Sequence, residues 1–281
     1  MDELVVVTGA TGRQGGAVAR HLLAAGWRVR ALTRDPDSAS ARRLAAAGAE
    51  MVRADMADIA SLRPAFAGAH GVFSVQNPMI SGLDAEVRQG RAVGDAAAEA
   101  GVRHVVYGSA GVGRSGTGVG QWESKLVVRD HLESLGLPLT VLRPTAFMEL
   151  MTDKDFYPPV SMWHLMPKLI GGDRPLPWLC ADDLGAVAAR AFAEPERFVG
   201  ADLALASDVR TLDECRELWR EVFGRPPRRF PMPVWLFERF TGKDLTAMWR
   251  WLHENPVEID PAVTRSIVPT ARTVREWLSV R

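Results

Sequence analysis

Lys125 closes the pentapeptide QWESK, and Gln121 stands four residues before it. On a helix these two side chains share a face, one turn apart. Ser109 ends the apolar run VRHVVYGS twelve residues before Gln121. A hydroxyl, an amide and an amine at this spacing could hold a polarised carbonyl group. Only the amine could also move a proton, because an amide donates hydrogen bonds but does not ionise near neutral pH. Desolvation draws a lysine towards neutrality as proton donor or acceptor, so Lys125 is the candidate catalytic residue; in a second reading it only holds the ribose hydroxyls of a bound cofactor. The chain has two tyrosines. Tyr107 falls inside an expected strand, and Tyr157, in KDFYPP, is placed on a loop that could reach the site.

A second group of residues has the pattern of an anion site. GATGRQG, residues 9 to 15, follows the strand-like run LVVV. Gly9 suits the tight turn, Gly12 lets the backbone approach a pyrophosphate, and Gly15 or Gly16 lets the helix pack on the strand. The free amides and the positive dipole at that helix N-terminus then attract the anion. The run LTRD ends the next strand, where an acidic residue would accept from the ribose 2′-hydroxyl of NAD. Here Thr33 and Arg34 take that edge, and Arg34 would meet a 2′-phosphate, which favours NADP(H). Arg13 offers a second contact or a solvated surface charge. Asp35 is the rival ribose acceptor, but the following Pro36 suits it better to a helix N-cap.

Positioning such residues takes a particular set of elements. The runs LVVVTG, VRALTR, AEMVRAD, AHGVFSVQ, VRHVVYGS and LPLTVLRP alternate with helical patterns, up to Pro144. Continuous apolar strands between helices predict an α/β fold: a doubly wound, mostly parallel Rossmann sheet covered on both faces, strand order 3-2-1-4-5-6. Beyond Pro144 the punctuation loosens into YPP, GGDRPLP and GRPP, and seven of the nine tryptophans lie past residue 160. We therefore expect a nucleotide-binding domain over 1–150 and a smaller lobe over 151–281 that roofs the cofactor cleft, with 175–206 returning to the sheet. Thr211 and Glu214 read as a capping box. The segment ELMTDKDFYPPVS, 149 to 161, reads as a substrate-gating lid or as a passive linker.

Composition narrows the chemistry further. The 34 basic and 34 acidic residues balance, so no field favours nucleic acid or an anionic membrane as partner. No apolar run approaches a membrane span, and the first strand begins at Leu4 with no room for a leader, so a cytoplasmic protein is expected. Cys180 and Cys215 lack CxxC spacing and read as buried thiols, with no metal site. His164, Trp163 and Trp178 are tested as substrate contacts against the plainer reading of core or surface residues. Asp183, in CADDLG, reads as an N-cap.

The ordered set VTGATGRQGGAVARHLL, ALTRDP, AEVRQG, DAAAEAGVRHVVYGS, ESK before LPLTVLRPTAFME, and DDLGAVAARAF resembles the NmrA-like family of atypical short-chain dehydrogenases/reductases along the whole chain. The resemblance implies a Rossmann fold with a small C-terminal lobe, NADP(H) preference, and either a true reductase or a regulator that senses cofactor without turnover. By position it implies cofactor contacts at Gly9, Ala10, Thr11, Gly12, Arg13 and Gln14, at Arg34, at Asp55 and Met56, and at Gln76 and Asn77. Arg88, Lys125 and Phe147 complete the implied site. Asp55 keeps a second reading as a turn cap. Better-known reductases with the same serine and lysine carry a tyrosine where this chain has Gln121. Family members often read MEN where this chain has Met148, Glu149, Leu150, and often carry glutamate where it has Arg129. The reading is an NADPH-dependent oxidoreductase passing hydride to a small carbonyl, quinone or related acceptor. Its alternative is a non-enzymatic NADP(H) sensor acting through a regulatory protein partner; a non-redox enzyme such as an epimerase comes third.

Overall fold

The computed structural model describes residues 3–153 and 161–281. It divides into two compact units. The first holds the chain up to Arg114, Gln121–Arg143 and Ala181–Leu203; the second holds Ser115–Gly120, the described part of Pro144–Cys180, and Ala204–Arg281.

In the first unit β1 (Leu4–Val7), α1 (Arg13–Ala24), β2 (Arg28–Thr33), α2 (Ala39–Ala46), β3 (Glu50–Arg53), α3 (Ile59–Phe66) and β4 (Gly71–Ser74) alternate. Then come α4 (Pro78–Ser81), α5 (Leu83–Glu99), β5 (His104–Gly108), α6 (Gly120–Ser134) and β6 (Leu139–Pro144). After β7 (Ala146–Phe147), α7 (Met166–Leu169) and β8 (Pro175–Leu179), the chain continues through α8 (Ala181–Ala193), α9 (Pro195–Phe198) and β9 (Asp202–Leu205). Last come β10 (Asp208–Thr211), α10 (Leu212–Phe223), α11 (Val234–Thr241), α12 (Asp244–Glu254), α13 (Pro261–Ile267) and α14 (Val274–Ser279).

The main sheet runs β3-β2-β1-β4-β5-β6-β9. Strands β1 to β6 are paired in parallel and take the expected order; β9 adds a seventh strand at the β6 edge. β1, β4 and β5 are buried along their whole length, as a sheet covered on both faces requires. Two glycines set the helix cover. A Cβ on Gly185 of α8 would lie 2.7 Å from the Ala17 backbone of α1, and one on Gly71 would lie 2.6 Å from the Phe192 ring. Of the span expected to return to the sheet, β9 joins it, with α8 and α9 ahead of it in the first unit, and β8 does not. It lies between β10 and β7 in a separate three-stranded sheet, antiparallel to β10 and parallel to β7.

The second unit is built around Trp178, Trp249, Trp277, Trp163 and the methionines Met148, Met151, Met162 and Met166, with Cys180 and Cys215 among them. Burial pushes the Cys215 thiol up, away from the thiolate that reactivity needs. Thr211 and Glu214 form the expected capping box at α10. Two other expected caps differ. Asp183 lies in the first turn of α8, buried, and not at its N-cap. α2 starts at Ala39 with Ser38 as its cap: Asp35 N donates to Thr33 Oγ1 (3.1 Å) and Asp35 Oδ1 accepts from Asp37 N (3.1 Å), so Asp35 and Pro36 are used in a tight turn. Among the described residues no helix is long and apolar enough to cross a membrane, and no group of three or more His, Cys, Asp or Glu could hold a metal ion.

Candidate functional site

Sequence order in the main sheet reverses between β1 and β4, and ligands of open α/β sheets bind beyond the C-terminal strand ends at such a point. There Thr8 ties the two strands together: its Oγ1 accepts from Val75 N at 2.9 Å and donates to Val75 O at 3.2 Å. The chain turns at Gly9, φ +58°, where a Cβ would meet Val75 Cγ1 at 3.0 Å. A Cβ on Gly15 would lie 2.5 Å from Gly9 O, so only glycine lets α1 start this close to the loop. Gly12 is the N-cap of α1 and supplies no capping side chain, whereas α2 and α3 begin on Ser38 and Asp58, whose side chains accept a first-turn amide. No side chain caps α1, and a helix N-terminus favours an anionic ligand. Ala10 and Thr11 complete the loop, Arg13 opens α1, and the buried Oε1 of Gln14 has no hydrogen-bond partner.

At the end of β2, Arg34 is exposed; its carbonyl accepts from Arg53 Nη1 at 3.0 Å. After β3, Asp55 Oδ1 accepts from Ala57 N (2.9 Å) and Asp55 N donates to Ser61 Oγ (3.0 Å), so this aspartate closes a turn. Met56 Sδ lies 3.8 Å from Gln76 Nε2, which donates to Ser74 Oγ at 3.0 Å. Gln76 is buried and its Oε1 has no partner. Asn77 is exposed and caps α4, its Oδ1 accepting from Met79 N at 3.0 Å.

The centre of the first unit is a charge pair that the sequence reading did not include. Lys125 Nζ lies 2.7 Å from Glu86 Oε1 and donates to Gln76 O at 3.3 Å. Ser124 Oγ donates to the other carboxylate oxygen at 2.5 Å. Glu86 is fully buried and Lys125 nearly so. Lys125 is therefore not the lone desolvated amine the sequence suggested; a counter-charge is buried with it. Glycines make the contact possible. A Cβ on Gly90 would stand 2.5 Å from Val128 Cγ1, and one on Gly94 2.7 Å from Leu132 Cδ2. Glu86, Gly90 and Gly94, at four-residue spacing, thus form a stripe on α5 that meets Ser124, Val128 and Leu132 on α6. The same letters, glutamate and glycine at that spacing with serine and lysine on a later helix, were the available signal. Arg88 lies two residues from Glu86, so it points elsewhere on α5; it is exposed, and the structure does not bring it to the pair.

Ser109, just past β5, is buried with an unpartnered Oγ. Tyr107, inside β5, is fully buried and donates to the Lys125 carbonyl at 3.4 Å. Burial first, and then the charge of Glu86, push its phenol up, so it is no proton donor for the site. Gln121 occupies α6 one turn before Lys125. Tyr157 and residues 154–160 of the expected gating segment lie outside the described residues.

Phe147, in the second unit, pairs through β7 with Leu179. Trp178 is core, its indole donating to Arg210 O at 3.0 Å. Trp163 is core too, donating to Met151 O at 3.4 Å and meeting Trp219 edge to face. His164 is partly exposed, 3.0 Å from Lys168 Nζ; burial, then Lys168, lower its pKa.

The family model described as the NmrA-like family matches residues 1–278. The NmrA-like family domain-containing oxidoreductase FrzB of Cladobotryum sp is 32% identical over 262 residues, spanning 84% of this chain and 78% of that protein. Among solved structures, NmrA, a negative transcriptional regulator, in complex with NADP is similar with a TM-score of 0.78 at 23% identity, covering 99% of this chain and 94% of that one. The triphenylmethane reductase of Citrobacter sp. complexed with NADP(H) gives 0.79 at 20% identity, covering 99% of each chain. At these identities the solved structures establish the fold.

Proposed function

The chain belongs to the NmrA-like family, and within it we propose an NADP(H)-dependent oxidoreductase acting on a small carbonyl, quinone or related acceptor. The observation that carries this reading is the buried Glu86–Lys125 pair, bonded to the Gln76 carbonyl, in the unit that also buries the unpartnered atoms Gln14 Oε1, Gln76 Oε1 and Ser109 Oγ. Buried polar atoms are normally satisfied; of the five this unit leaves open, these three follow the C-terminal ends of β1, β4 and β5, where a polar ligand would bind. The residues fit a dinucleotide: uncapped α1 amides for a pyrophosphate and the exposed Arg34 guanidinium for a 2′-phosphate. That a relative is named an oxidoreductase and that two structures of this fold hold NADP or NADP(H) support the same assignment.

When bound, NADPH would supply the hydride, and the acceptor then needs one proton. Lys125 is the residue we assign to hold that proton, because Gln121 cannot release one and the Tyr107 phenol is sealed in β5. Ser109 would orient the acceptor oxygen through its hydroxyl.

A second reading rests on Gln121, which stands where related reductases have their acid: a protein that binds NADP(H) and signals through a regulatory partner. Purified protein tested for NADPH oxidation against quinones, aldehydes and enones separates the two. For the oxidoreductase we expect turnover with at least one class, lowered about 10² to 10⁴ fold by Lys125→Met, the range for losing a general acid or base. Turnover that survives Lys125→Met would remove Lys125 from the chemistry. No turnover together with measurable NADPH binding would favour the sensor.

A further inference from the structure

We infer that Glu86 is the positioning residue of Lys125, held against it by the glycine stripe of α5. The inference rests on the oxidoreductase reading for its kinetic consequence and on geometry alone for its structural one. Both carboxylate oxygens of Glu86 are engaged by α6, one by Lys125 Nζ and one by Ser124 Oγ, so the carboxylate cannot rotate without losing a bond. The lysine is fixed in turn. One ammonium hydrogen goes to Glu86 and a second to Gln76 O, which fixes the direction of the third.

A stabilising role explains these observations less well. Two charges removed from water repay their desolvation only with difficulty, and apolar replacements of buried pairs are often as stable or more so. Here the chain also gives up side chains at Gly90 and Gly94 on a helix, where glycine is a poor former, and the close approach of α5 to α6 that results is what lets a side chain as short as glutamate reach both partners. The arrangement spends stability on aiming one amine.

A structural clamp and a positioning residue differ in what they do to the amine. Glu86→Gln keeps the shape and removes the charge. We expect Lys125 in this variant, without cofactor, to react with an amine-directed acylating reagent at least about tenfold faster by peptide mapping. Turnover should fall about 10² fold, the scale for a reacting group displaced by about 1 Å, in kcat more than in KM, with NADPH affinity by calorimetry within a few fold. Gly90→Ala, which alters no titratable group, should raise Lys125 reactivity in the same direction by pushing the helices apart. The double variant Glu86→Leu/Lys125→Met should fold with a melting temperature close to that of the unaltered protein. Unchanged Lys125 reactivity in both Glu86→Gln and Gly90→Ala would overturn the inference, as would a double variant that fails to fold. If no acceptor is turned over by the unaltered protein but Lys125 reactivity rises as stated, the oxidoreductase reading fails and the positioning role stands.

Discussion

The two units fill their interiors by opposite means. The first uses valine, alanine and leucine between closely packed backbones, with glycines wherever an element must approach another; the second fills its centre with tryptophan and methionine. The difference shows in what each can bury. Close backbones seal Glu86 onto two side chains of another helix. In the second unit the buried carboxylate of Asp208 accepts from two backbone amides, Val209 N at 2.9 Å and Val274 N at 3.0 Å, and from Arg210 Nε at 3.3 Å. Small residues allow polar groups to be aimed, whereas large ones supply stability through area and shape.

This contrast is open to test, beginning with the largest effect. Trp249→Ala should lower the unfolding free energy measured in denaturant by about 3–5 kcal/mol, the cost of emptying a large aromatic site. Trp249 is 1% exposed and packs on Phe237 at 5.7 Å. A loss below about 1 kcal/mol would show that the aromatics of the second unit do not hold its core.

The next test asks whether the first unit depends on its buried polar groups. His104, 1% exposed, shares a hydrogen bond with Thr140 Oγ1 at 2.8 Å, and burial, then the nearby His70, lower its pKa from 6.5 to about 4. The folded protein therefore resists a proton that the unfolded chain accepts. That contribution is fully present above pH 6.5 and is lost as pH falls towards 4, about 3 kcal/mol in all. Urea unfolding across that interval should show the slope, and His104→Gln should remove this part of it. The same slope in His104→Gln would assign it elsewhere.

The smallest effect concerns an exposed group. We propose Arg34 as the contact for a 2′-phosphate, and hydrogen bonds to charged groups contribute about 1.5–3 kcal/mol. NADPH should therefore bind about 10 to 150 times more tightly than NADH, and Arg34→Ala should remove most of the difference in calorimetry. Equal affinities in the unaltered protein would leave the first unit with no role for that arginine.

What the sequence made legible was local. Strand runs, the glycine loop and the Thr211–Glu214 box are each decided by residues a few positions apart, and all stand in the structure. The placement of β8 was not legible, because PLPWL reads as an apolar strand whichever sheet receives it. β9 was anticipated only within the returning span 175–206 and not as a strand of its own, because DLAL is short and its pairing depends on β6, far back in the chain. Glu86 was the larger omission. The nearby Gly90 and Gly94 mark its face of α5, but the partners that explain a buried carboxylate, Ser124 and Lys125, lie on a helix some forty residues on. Arg88 came from the family resemblance alone, and it is exposed on α5.

The seventh strand has a consequence for how the chain is made. β9 completes the main sheet only after the whole stretch from Pro144 to Cys180 has been synthesised. At about 5–20 residues per second, β6 waits roughly 3 to 12 s on the ribosome with one edge unpaired, and the α1 face that receives Gly185 waits with it. LTVL, buried at all four positions in the finished protein, is the kind of open strand edge that recruits other chains. The interval between β6 and β9 is thus when the nascent polypeptide has most need of a chaperone, and a ribosome stalled between them would release a product exposed to aggregation.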